Sequence, residues 1–198
     1  MISQGRVRLL PAAETPSRSV LAGIDALKAK DPNPKPLLVT TADHALLDHA
    51  MLDHFLSAAQ AGESDVTVAL VPESVIAKRF PAAKRTYLPF RGERYSGANL
   101  FAFMTPDARK VALFWQAAEQ HRKQPWRMVS KFGVVSLLLF VLKRLDLAQA
   151  FERASTAVRA RISAVVMPMA EAAIDVDKVS DWKLVNRILD ERVRNAGE

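Results

Sequence analysis

Along residues 17–29, SRSVLAGIDALKA, the apolar side chains Val20, Leu21, Ile24 and Leu27 recur every three or four positions, the spacing of one helical face. The period then changes. Residues 36–42, PLLVTTA, form a short apolar and β-branched run behind the proline-rich turn DPNPKP and predict a buried strand. Helical spacing returns from His49 through Met51, Leu52, Phe55, Leu56 and Ala59, opened by the capping residue Asp48 and closed by Gly62. Residues 65–71, DVTVALV, alternate as a strand, and 74–80 read as a helical turn. Strands are predicted over 86–90 and 100–104, on either side of the turn Arg91-Gly92-Glu93. A helix over 106–121 has Thr105 as its cap and Pro106 in its first position. Helices over 127–143 and 147–159 follow, then a strand from Val165, an extended piece over 173–176 and a closing helix over 180–194. A short strand over 7–11 precedes them all. Strands alternating with helices predict an α/β fold, a sheet with helices on both faces, with no internal repeat and no second core.

Composition narrows the class. A chain of 198 residues with 49% hydrophobic content suits one globular domain with a real core, and a mean hydropathy of +0.01 does not read as disorder. Cysteine is absent, which excludes disulfides, thiolate metal sites and a cysteine nucleophile. The start MISQGRVRLLP lacks the pattern of a signal peptide. The most apolar run, 134–142, is far shorter than the ~20 residues that span a bilayer, and reads as core. A cytoplasmic protein without a membrane span is the expectation. The net charge of +7 raises nucleic acid as a partner, but the basic residues are scattered and no recognition motif accompanies them. They fit a solvated surface or a small phosphorylated ligand better than a specific nucleic acid.

The candidate chemistry gathers near TTADHALLDHAMLDHF, where Asp-His repeats every five residues at Asp43-His44, Asp48-His49 and Asp53-His54. Five residues turn a helix by about 500°, so successive pairs point roughly 140° apart and cannot share one ion. Asp48 is left as a cap, and His49 and His54 as helix surface. Asp43 closes the strand, where ligands of open α/β sheets bind. Its rival role is a turn or cap. His44 beside it either touches a ligand or lies on the surface. Asp175 and Asp177 alternate as in a strand and so face opposite sides. Lys84, Arg85, Lys123, Arg127 and Lys131 suit the phosphate of a small molecule or a charged surface alike.

Four runs taken together, LLVTTADHALL, AKRTYLPFRGERYSGANLFAF, HRKQPWRMVSKFG and EAAIDVDKVSDWKLVNRIL, resemble the MobA-like nucleotidyltransferases. These are NTP transferases of the GT-A, or nucleotide-diphospho-sugar transferase, fold. The resemblance implies a three-layer, Rossmann-like α/β architecture with a mixed, mostly parallel sheet. It implies a divalent metal, Mg²⁺ or Mn²⁺, held by Asp43 and completed by Asp175, with Asp177 as the second choice. Ser96, Gly97 and Asn99 correspond to the small-residue turn that faces the acceptor. Magnesium takes oxygen ligands, one or two carboxylates with phosphates and water, which two aspartates at strand ends supply. Gly97 allows close approach of the backbone to a ligand, and Asn99 offers both a donor and an acceptor.

The implied activity is transfer of a nucleoside monophosphate from a nucleoside triphosphate to a phosphorylated small molecule. The seven glycines never form the Gly-x-Gly of the family's opening phosphate-binding loop. The expectation is therefore a single domain over 1–198, shortened at its N-terminus relative to the family, with a sheet edge exposed to self-association. The alternative is a nucleotide-binding or assembly protein, without catalysis, built on a remnant of that fold.

Overall fold

The computed structural model describes residues 7, 9–31, 36–120 and 144–196. Helix α1 (Pro16–Lys28) is capped by Thr15, whose side chain accepts from the Arg18 amide. Strand β1 (Leu37–Thr40) leads through a tight turn to α2 (His49–Ala61), whose first turn is capped by Asp48 Oδ1, 3.0 Å from the Met51 amide. β2 (Val66–Pro72), α3 (Glu73–Arg79), the two-residue β3 (Leu88–Pro89) and the long β4 (Arg94–Phe103) follow. Helix α4 (Ala108–Gln120) comes before the undescribed stretch 121–143; beyond it lie α5 (Leu147–Val158), β5 (Ile162–Val166), a 3₁₀ turn (Ala170–Ala173) and α6 (Val179–Ala196). The predicted helix over 127–143, the apolar run 134–142 and Lys131 lie outside the described residues.

The sheet has the order β1-β4-β2-β5, with β3 beside β4. It is mixed: β1, β2 and β5 point the same way, and β4 runs against them between β1 and β2. Alternation sorts the strand side chains into two cores. Val66, Val68, Leu37, Val39, Phe101 and Phe103 face α1 and α4, packing with Leu21, Ala108 and Ala112. The opposite set, Ala69, Val71, Ala98, Leu100 and Ala102, packs on Met51 and Phe55 of α2 and Ile76 of α3. A third group joins Leu46 and Phe80 to Val185 and Ile188 of α6. Helices thus cover both faces, and the three-layer α/β architecture is established.

Four local expectations need correction. Residues 9–11 form no strand, and Leu9 is 75% exposed. β1 is an edge strand whose residues alternate between half-buried and exposed, since only β4 pairs with it among the described residues. Thr105 does not cap α4: its hydroxyl donates to Asp65 Oδ1 at 2.6 Å, and α4 begins at Ala108. Ser96, Gly97 and Asn99 lie inside the ten-residue β4 rather than in a turn before a strand. The periodicity of 94–99 is interrupted there by a bulge, which hides the strand in the sequence.

Candidate functional site

The C-terminal ends of the three like-pointing strands converge on one edge of the sheet, and the chemistry gathers there. β1 ends in a turn closed by His44 N to Thr41 O (3.4 Å), Ala45 N to Asp43 O (3.0 Å) and Leu47 N to His44 O (3.2 Å). Helix α6 anchors this turn from a distance. Arg192 donates to the Leu46 carbonyl at 3.1 Å and pairs with Asp48 at 3.1 Å. The segment after the 3₁₀ turn is fixed to it by the Val176 amide, 3.1 Å from the Asp43 carbonyl. Asp43 and the strip carrying Asp175 are thereby neighbours, as the sequence reading requires.

The bulge brings in the third element. Val68 faces Phe101 but Leu70 faces Gly97, so β4 carries extra residues opposite Ala69. Asn99, one of them, takes the left-handed conformation with φ 50°, which asparagine tolerates better than most residues with a side chain. From there its amide nitrogen donates to Asp175 Oδ2 at 3.1 Å. Arg85, between α3 and β3, closes on the other oxygen of Asp175 at 2.5 Å, both side chains being largely buried.

These groups line a cleft of about 310 Å³ that also includes Lys84, Ser96, Gly97, Asp177 and Lys178. Gly97 has open space before it: a Cβ there would meet no atom within 4 Å. No protein contact requires glycine at this position, so the room its hydrogen leaves belongs to the cleft. Lys178 was not anticipated, although it directly follows the Asp177 that was; Asp181, at the third position of α6, bonds back to the Lys178 amide at 3.0 Å and so holds it. Asp175 and Asp177 both line the cleft, Asp175 largely buried and Asp177 exposed at its rim; after the 3₁₀ turn Ile174 is extended, but residues 174–176 pair with no strand among the described residues. His49 and His54 are exposed on α2, as expected. Lys123 and Arg127 lie outside the described residues.

Asp43 and His44 are not among the residues that line the cleft, but the electrostatics where they meet Asp175 and Arg85 are unusual for a buried region. Asp43 Oδ1, both ring nitrogens of His44, Arg85 Nε and Asp175 Oδ1 are buried without a hydrogen-bond partner. His44 is not on the surface but 6% exposed. Burial holds its imidazole below the ordinary histidine value, against the pull of the Asp175 and Asp43 carboxylates. Buried polar atoms without a partner are costly, and such a cluster beside a cleft marks a candidate ligand site. No group of three His, Cys, Asp or Glu side chains among the described residues is arranged to hold a metal by itself. Asp43 Oδ1 and Asp175 Oδ1, the latter now facing Arg85 Nη2, are of the hard-oxygen type that a divalent cation takes together with phosphate and water.

A solved structure of a hypothetical transferase from Thermus thermophilus is similar to this chain, with 28% identity and a TM-score of 0.74 over 87% of this chain and 71% of that one. The chain has a transferase-like fold. No protein-family model matches it, and no curated protein is significantly similar to it. Within the transferase-like fold, the cleft at the C-terminal strand ends is where the position rule for open α/β sheets puts a ligand. No helix among the described residues is long and apolar enough to cross a membrane.

Proposed function

We propose that this protein is a MobA-like nucleotidyltransferase that moves a nucleoside monophosphate from a nucleoside triphosphate to a phosphorylated small molecule. The observation that carries the reading is the pair of buried carboxylate oxygens without a hydrogen bond, Asp43 Oδ1 just beyond β1 and Asp175 Oδ1 after the 3₁₀ turn, beside a cleft lined by Lys84, Arg85 and Lys178. Asp43 and Asp175 would hold Mg²⁺ or Mn²⁺. Such an ion neutralises charge on the triphosphate and orients it. The rest falls to the chain's own residues. Lys84, Arg85 and Lys178 bind phosphate oxygens, and Asn99 fixes the rotamer of Asp175. Gly97 leaves space for the acceptor, whose phosphate oxygen attacks the α-phosphorus as pyrophosphate departs. The task is positioning and charge neutralisation, without a covalent intermediate.

Titrating a nucleoside triphosphate with Mg²⁺ into the wild type and Asp43→Ala by calorimetry tests this. Loss of metal-dependent affinity by about 100-fold, with an unchanged melting temperature, is the expected result. Equal metal-dependent affinity in the two proteins would sink the assignment. The same reading includes self-association through the outer edge of β1, supported by its pairing on one side alone among the described residues and by Leu38 at 36% exposure. A mass by light scattering that stays monomeric at high concentration would remove that part.

A further inference from the structure

The most buried ion pair in the described structure is not a two-pronged one. Arg109 grips Asp25 through Nε and Nη2 at 3.2 and 3.1 Å, and Arg94 grips Glu73 through the same two nitrogens, although both arginines are exposed. This two-pronged fork is the arrangement that arginine and carboxylate favour. Arg85 and Asp175 are only 12% and 15% exposed and approach to 2.5 Å between Nη2 and Oδ1, yet they form no hydrogen-bonded fork. Arg85 Nε and Asp175 Oδ1 are both buried with no hydrogen bond. A pair selected to hold the fold would use those atoms. Here Arg85 Nε is left without an acceptor and Asp175 Oδ1 meets the guanidinium by charge without a hydrogen bond, at the wall of the cleft.

We propose that Arg85 and Asp175 are mutual placeholders, each occupying the other's ligand position until a phosphate and a divalent cation arrive together. The inference rests on the nucleotidyltransferase reading for the identity of these ligands. Phosphate taking Arg85 would leave Asp175 buried with only the Asn99 amide for company. A cation taking Asp175 would leave the Arg85 guanidinium buried and unpaired. Either ligand alone therefore strands a charge in a poorly solvated place, which is costly. When both bind, the phosphate replaces the Asp175 carboxylate on Arg85, the cation replaces Arg85 on Asp175, and no charge is left over. Linkage makes the effect reciprocal: each ligand raises the affinity for the other by the same factor. The pair thus acts as a coincidence detector for a metal-bound phosphate, rejecting free phosphates and free cations.

Calorimetry on the full chain with inorganic pyrophosphate and Mg²⁺ as probes tests the coupling, with no need for a competent acceptor. In the wild type, pyrophosphate in the presence of chelator and Mg²⁺ alone should each bind at least tenfold more weakly than either does with the other present. Asp175→Asn keeps the shape and frees Arg85, so metal-free pyrophosphate should bind at least tenfold more tightly than to the wild type. Arg85→Gln frees Asp175, so Mg²⁺ alone should gain by a similar factor. Gains in opposite ligands from the two variants would establish the exchange, since damage to the fold produces losses only. Wild-type pyrophosphate affinity that is indifferent to Mg²⁺, or the absence of both gains, would overturn it. Failure to transfer nucleotide, with these gains intact, would instead count against the proposed reaction and leave the exchange standing.

Discussion

At the N-terminal ends of β2 and β5, Asp65 is 7% exposed and fully engaged: it accepts from Thr105 Oγ1 at 2.6 Å and from the Arg161 amide at 2.7 Å. Its own amide donates to the Arg161 carbonyl at 2.7 Å, and its carbonyl accepts from Met104 at 2.8 Å. One residue thereby joins the start of β2, the end of β4 and the start of β5. At the opposite end of the same sheet, Asp43 Oδ1 and Asp175 Oδ1 are buried without a hydrogen bond, although Asp175 keeps the Asn99 amide on its other oxygen and the Arg85 charge beside it. Buried carboxylates at two ends of one sheet thus differ in satisfaction: Asp65 holds strands together, and Asp43 and Asp175 each keep an oxygen without a hydrogen bond. The contrast separates structure from function without reference to residue type.

Denaturant unfolding can break this contrast. The largest effect is expected from Asp65→Ala, which strands the Thr105 hydroxyl and the Arg161 amide and should lower stability by about 3 kcal/mol. A loss under about 1 kcal/mol would mean that Asp65 is not the clasp. Asn99→Ala should cost about 1–2 kcal/mol through its left-handed backbone. Asn99→Gly relieves that strain while still losing the contact with Asp175, so a glycine variant no more stable than the alanine variant would refute the backbone argument. Asp43→Asn should leave stability unchanged or raise it by about 1 kcal/mol, because the charge it removes has an oxygen with no partner. A drop comparable to that of Asp65→Ala would erase the distinction between the two ends.

The smallest effect concerns acid. Burial raises the Asp65 carboxyl, but the Thr105 and Arg161 hydrogen bonds and the Arg161 charge outweigh it and hold the group below the ordinary aspartate value. A folded value lower than the unfolded one means stability that is present above the unfolded value and lost as pH falls towards the folded one. The slope of stability against pH in that acidic window should flatten in Asp65→Asn. An identical slope in the variant would assign the acid sensitivity to other carboxylates.

The parts legible in the sequence were those with strong local signals. The apolar spacing from Met51 to Ala59 and the cap at Asp48 gave α2 its observed bounds. Asp43 was singled out because a strand's C-terminal end is a position that periodicity reveals. The clasp was invisible, for nothing local distinguishes Asp65 from a surface aspartate, and its partners lie 40 and 96 residues away. The burial of His44 escaped for a similar reason: it is covered by segments that no short window contains. The bulge escaped because extra residues in a strand erase the alternation by which strands are recognised, so a ten-residue strand read as a turn followed by a short one.

Distance along the chain has one more effect. Asn99 meets Asp175 across 76 residues, and Arg192 meets Leu46 across 146, so the cleft is assembled from segments that the ribosome delivers at widely separated times. The antiparallel pairing of β2 with β4 spans far less chain and draws on no residue of the C-terminal third. Contacts that close the longest loops bear the largest entropic cost and tend to form late. A nascent chain therefore has a framework before it has the cleft, whose walls are complete only once α6 has docked.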